Sequence, residues 1–112
     1  MNCLFCKLVA GQIPARIILD EPDVLAFHDI HPVAPTHVLV IPKKHITSLA
    51  DATDDDTAVL GRLLHAARTV AERLELGGGF RTVINTGEHG GQTVHHLHVH
   101  VLGGRHHTWP PG

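Results

Sequence analysis

Residues Thr53 to Gly79 read TDDDTAVLGRLLHAARTVAERLELGGG. Leu60, Leu63, Leu64, Ala67, Val70, Ala71 and Leu74 recur at the three-and-four spacing that gathers side chains on one side of an α-helix, while Arg62, Arg68, Glu72 and Arg73 take the other side. Thr53 stands where an N-cap belongs. Asp54, Asp55 and Asp56 follow it into the first turn, where carboxylates meet the positive end of the helix dipole. Gly77-Gly78-Gly79 ends the pattern. An amphipathic helix of this kind must lay its apolar stripe on something flat.

The flanking segments supply that surface. Ala15 to Leu19 and Val24 to His28 are short and rich in Ile, Val, Leu and Phe, and Asp20-Glu21-Pro22-Asp23 between them has turn chemistry, which predicts a β-hairpin. Ile30 to Pro35 interrupts regular structure, because proline has no N–H to give a ladder. His37 to Ile41 resumes as a strand. Downstream, Phe80 to Asn85 and Val94 to Leu102 read as two further strands joined by Thr86-Gly87-Glu88-His89-Gly90-Gly91. Leu4 to Ala10 makes a short N-terminal helix closed by Gly11 and Pro14. The expectation is an α+β domain: a five-stranded antiparallel sheet, one main helix and a short N-terminal helix.

At 112 residues and 43% hydrophobic, the chain fits one domain over residues 1–112. A formal charge of −2 excludes a basic nucleic-acid surface, and the 12 histidines make that charge pH-sensitive. Met1 leads directly into Asn2-Cys3-Leu4-Phe5-Cys6 with no targeting pattern and no apolar run of membrane-spanning length, so a cytoplasmic protein without membrane contact is expected. The only cysteines, Cys3 and Cys6, have a spacing suited to metal or redox chemistry.

The chemistry gathers at His96-Leu97-His98-Val99-His100. If Val94 to Leu102 is a strand, alternation puts three imidazoles on one face and Leu97, Val99 and Val101 on the core side. Such a row supplies a nucleophile, a proton donor and an acceptor, or it holds a metal. Gly87, Gly90 and Gly91 allow backbone amides to approach an anion, with Gln92 and Thr93 offering side-chain donors. Together they suggest phosphate held against a nucleophile.

His96-Leu97-His98-Val99-His100-Val101-Leu102 resembles the motif of the histidine triad (HIT) family. The stretches Ala26 to Ile30, Pro35 to His45, and Gly103-Gly104-Arg105 through Trp109-Pro110-Pro111-Gly112 are similar to its Hint branch, the purine nucleoside phosphoramidate hydrolases. The resemblance implies a HIT-like fold and a two-step reaction in which a nucleoside monophosphate passes to His98 as nucleophile and then to water. It implies that His37 orients the nucleophile, that His100 and Thr93 assist at the phosphate and leaving group, and that no metal is needed for the chemistry. Asp29 would accept from ribose hydroxyls. Leu4, Phe5, Leu8, Phe27 and Ile30 would form an apolar slot for the base. Asn85, Gly91, Gln92, Thr93, His98 and His100 would contact the α-phosphate of a purine nucleotide such as AMP or GMP. Trp109 would reach the site of a partner subunit in a homodimer. Many bacterial members close a structural zinc site, implied here at Cys3, Cys6, His45 and His96. His31, His95, His106 and His107 depart from the family pattern. Two other functions compatible with these residues are a dinucleoside polyphosphate hydrolase and a non-catalytic regulatory protein that binds nucleotide or zinc.

Overall fold

A computed structural model describes residues 2–112. The elements run α1 (Leu4–Val9), β1 (Ile17–Asp20), β2 (Val24–His28), β3 (Thr36–Pro42), α2 (Thr57–Arg73), β4 (Phe80–Val83) and β5 (Val99–Gly103), with two 3-10 turns at Leu49–Asp51 and Asp54–Asp56. The strands form one sheet in the order β1-β2-β3-β5-β4, every neighbouring pair antiparallel. This is the expected α+β arrangement, with one main helix and a short one at the N-terminus.

Both faces of the central strands are covered, so Val24 to Phe27 of β2 and Val38 to Ile41 of β3 are apolar at every position instead of alternating. Val24, Ala26, Val38, Val40, Val99 and Val101 pack under Leu63, Ala66, Ala67 and Val70 of α2. Leu25, Phe27, Leu39 and Ile41 face the other way, against Phe5 and Leu8 of α1. No helix is long and apolar enough to cross a membrane among the described residues.

Four expectations need correction. Thr53 does not cap α2 directly: it opens the 3-10 turn, where the Asp56 carboxylate accepts from the Thr53 N–H (2.9 Å) and from Lys44 Nζ (2.6 Å), and α2 starts at Thr57. Those donors hold buried Asp56 below the usual carboxylate range, the Lys44 bond contributing most. At the other end, Glu75, not the glycine run, ends the helix. It adopts φ 58, Leu76 N–H reaches Ala71 O (2.9 Å) and Glu75 N–H reaches Glu72 O (3.2 Å), the paired bonds of a Schellman motif. Leu64 is 54% exposed and off the stripe, its place in the core taken by Ala66.

The fourth correction bears on the site. The last strand begins at Val99, not Val94. The register Val40↔Val99 would next oppose Leu97 to Pro42, which has no N–H to give, and Leu97 N–H goes instead to Ile46 O at 2.7 Å. Residues 94–98 therefore lie outside the ladder. Leu97, Val99 and Val101 nevertheless all reach the α2 core, so alternation persists past the strand's end.

Candidate active site and metal centre

His98 is buried, and its Nδ1 lies 2.7 Å from the carbonyl oxygen of His96. A carbonyl can only accept, so the proton is on Nδ1 and the lone pair is on Nε2. The edge of Phe5 meets the His98 ring at 5.5 Å between centroids, and His100 lies on another side at 4.9 Å. The ring is thus held as its Nδ1–H tautomer, with Nε2 defined as the nitrogen free to act as a nucleophile.

His37 lies beside His100 because His37 opposes Leu102 across β3 and β5, which makes His100 its diagonal neighbour on the same face. Val33 N–H donates to His37 Nδ1 (3.1 Å), so the His37 proton is on Nε2 and donates to His100 Nδ1 (2.9 Å). His100 must then carry its proton on Nε2. That atom is buried with no partner. Burial, followed by the neighbouring His98 and His37, pushes His100 down to about 4, so near neutral pH it is an uncharged donor waiting for an acceptor. Burial also lowers His37, against an opposing pull from Asp29. The orienting bond expected from His37 to the nucleophile runs to His100 instead, and the His96 carbonyl orients His98.

Asp29 follows β2. Its Oδ1 accepts from His31 N–H (2.8 Å) and its Oδ2 lies 3.4 Å from His37 Nε2. Phe5, Leu8 and Phe27 are buried, while Leu4 (53%) and Ile30 (84%) stand exposed at the surface. Asn85 is half-buried and Thr93 exposed. Gln92 is not free to meet an anion: its Oε1 accepts from Gly87 N–H (3.0 Å), and its Nε2 donates to Thr47 O (2.8 Å) and Val94 O (3.0 Å). Its side chain braces the glycine loop. Gly91 adopts φ 80 in that loop. Trp109 is 80% exposed on a tail tied down by Arg81, which donates to Thr108 O at 2.8 Å.

Cys3, Cys6, His45 and His96 form a second constellation, with one donor atom of each lying within 4.8 Å of all the others. His45 Nδ1 and His96 Nδ1 are 3.2 Å apart, Cys6 Sγ lies 3.3 and 3.6 Å from them, and Cys3 Sγ lies 3.4 Å from His96 Nδ1. A tetrahedral zinc with ordinary bond lengths requires roughly 3.3 Å between two nitrogens and roughly 3.6 Å between nitrogen and sulfur. The quartet fits that geometry. His96 Nε2 donates to Pro42 O (2.8 Å), which leaves Nδ1 with its lone pair toward the thiols, the second hydrogen bond that ligating histidines usually make. Burial and adjacent Cys3 push the Cys6 thiol up, so ligation would release its proton.

Asp29, His37 and His100 also lie close enough together to suggest a metal site. Their proton arrangement argues otherwise. Because Val33 N–H occupies the lone pair on His37 Nδ1, Nε2 carries a proton and has nothing to offer a cation. Sequence reasoning missed Val33 N–H, Pro42 O and the His96 carbonyl. Main-chain groups leave no residue-type signature.

The HIT domain model matches residues 10–107, and the chain belongs to that family. A crystal structure of a HIT family hydrolase from Legionella pneumophila is 50% identical, with TM-score 0.96 over 99% of this chain and 100% of that one. The histidine triad nucleotide-binding protein of Candida albicans is 30% identical, with TM-score 0.83 over 97% of this chain and 83% of its own. A 14 kDa zinc-binding protein of Zea mays is 47% identical over 97% of this chain and 87% of its length. These are similarities of sequence and fold to a hydrolase-type domain.

Proposed function

We propose that this chain hydrolyses purine nucleoside 5′-phosphoramidates through a nucleotidyl intermediate on His98. The observation that carries the reading is the pair of fixed tautomers: a lone pair on His98 Nε2 beside an unpartnered donor on His100 Nε2. In the first step His98 Nε2 forms a bond to phosphorus as the phosphorus–nitrogen bond breaks, and the amine departs after gaining a proton. Thr93 is assigned to assist that departure. His100 Nε2–H donates to a phosphoryl oxygen as charge grows there. The phosphohistidine is cationic at its ring. Water then attacks phosphorus, a proton leaves the water, and His98 is released with nucleoside monophosphate. Asp29 is assigned to the ribose hydroxyls and Phe5, Leu8, Phe27, Leu4 and Ile30 to the base. Asn85 and Thr93 are assigned to the phosphate, with Gly91 allowing its close approach to the loop and Gln92 shaping that loop.

The name of the Candida relative supports nucleotide binding, and the name of the Zea mays relative supports zinc. Cys3, Cys6, His45 and His96 would hold zinc with no open position, so its contribution is to pin α1 to the segment before β5. Exposed Trp109 is assigned to the partner's site in a homodimer.

Mass spectrometry of enzyme quenched during turnover of an adenosine phosphoramidate should find the adenylyl group on a peptide containing His98. His98→Ala should lose turnover by about three orders of magnitude or more while still binding AMP. Full turnover by that variant would refute the assignment. Preferential cleavage of a dinucleoside polyphosphate would move it to another branch of the family.

A further inference from the structure

The Asp29, His37 and His100 cluster has one accessible end and one sealed end. The Asp29 side chain is 19% exposed and that of His37 4%, while His100 Nε2 is shut away from solvent. Oδ1 of Asp29 is engaged by His31 N–H, which leaves Oδ2 as the atom an arriving donor meets. The same Oδ2 is 3.4 Å from His37 Nε2, whose single proton also points to His100 Nδ1 at 2.9 Å. One proton thus serves two acceptors.

We propose that Asp29 couples occupancy of the sugar subsite to the strength of the phosphate donor, with His37 as the positioning residue between them. The inference rests on the nucleotide reading above. A vicinal diol donating to Asp29 Oδ2 satisfies part of the carboxylate charge, so the His37 proton turns more fully to His100 Nδ1. Donation into Nδ1 draws electron density from the ring and polarises the N–H at the opposite nitrogen, as linked hydrogen bonds do. His100 Nε2–H then becomes a better donor. Val33 gives the chain its direction, because its N–H prevents His37 from reversing its tautomer. The sugar hydroxyls would thereby contribute to the transition state as well as to binding, and substrates lacking them would lose kcat in addition to raising KM.

The test uses the wild-type protein with nitrogen-labelled histidine and two ligands that lack phosphate, adenosine and 2′,3′-dideoxyadenosine. Adenosine should shift the ring nitrogens of His37 and His100, whereas bound dideoxyadenosine should leave them in place. Equal shifts from both bound ligands would overturn the coupling and leave the nucleotide reading intact. Absence of saturable binding by either would overturn the nucleotide reading, and this inference with it. In turnover, the ribo-to-dideoxy ratio of kcat should be roughly threefold to tenfold and should fall to about one in His37→Phe, while the KM ratio persists. A kcat ratio that survives His37→Phe would also overturn the coupling.

Discussion

Gly90→Ala should damage the glycine loop through a contact with its own backbone. A Cβ at residue 90 would lie 2.3 Å from Thr86 O, 2.7 Å from Thr86 N and 2.9 Å from Thr86 C. An ordinary carbon–oxygen contact is about 3.3 Å, so the two limbs of the loop must separate by roughly 1 Å. The neighbours are main chain and cannot rotate aside. Either the loop remains closed under strain, or it opens and weakens the Gly91 N–H to Glu88 O (3.0 Å) and Gln92 N–H to Gly87 O (3.1 Å) bonds. Overpacking costs about 1–3 kcal/mol and each lost hydrogen bond about 0.5–1.5 kcal/mol, so both routes converge on a loss of about 1–3 kcal/mol. For a domain of this size each kcal/mol lowers Tm by about 4 °C. Urea titration and thermal melts would measure the stability loss, and AMP titration the loss of the proposed anion site. Gly78→Ala is the control, since a Cβ there would meet nothing within 4 Å and its φ is not positive. Gly90→Ala with the stability and AMP affinity of wild type would refute the steric reasoning.

Metal analysis of protein purified without chelator should give about one zinc per chain, and Cys6→Ser should lower that content and the melting temperature together. Acid should destabilise the fold through His100: with the folded pKa near 4 and the unfolded value near 6.5, the unfolded state binds a proton that the folded state refuses. Stability from this ring is therefore complete above about pH 6.5, declines toward pH 4 and levels below. After allowance for solvent around a half-buried ring the total is about 1–2 kcal/mol. His100→Asn should flatten that part of the urea-stability profile, and an unchanged slope would refute the attribution. Glu75→Gly should raise stability by about 0.5 kcal/mol, because relief at φ 58 exceeds the added freedom of the unfolded chain. A melt showing destabilisation would contradict that balance.

Much of the architecture was legible because it rests on period. The α2 stripe, the apolar runs of β2 and β3, and the alternation of Leu97, Val99 and Val101 survive as layers of the core. Where β5 begins was not legible, since it depends on Leu97 falling opposite Pro42, a fact of register and not of local propensity. The helix stop was misplaced for a related reason: three glycines are a strong signal, but the chain had already turned at Glu75. Cys3 and Cys6 pointed to metal or redox chemistry by spacing, whereas His45 and His96 joined them only through resemblance and then through geometry. Gln92 looked like an anion donor and proved to be a brace, because a side-chain amide reads the same in sequence whether it faces a ligand or its own loop.

The peptide joining His96 to Leu97 is gripped on both sides: its carbonyl receives His98 Nδ1–H, and its N–H is spent on Ile46 O. Ile46 is next to His45, so this one plane lies between two residues of the thiol–imidazole quartet and the proposed nucleophile. Rotating it by a few tens of degrees would break both bonds together. Competence of His98 should therefore behave as a threshold, present while the plane holds and lost when it turns, rather than fading gradually. The amide of Leu97, bonded to Ile46 O, becomes a gauge: its hydrogen-exchange rate should rise in any variant in which the proposed nucleophile has been set adrift.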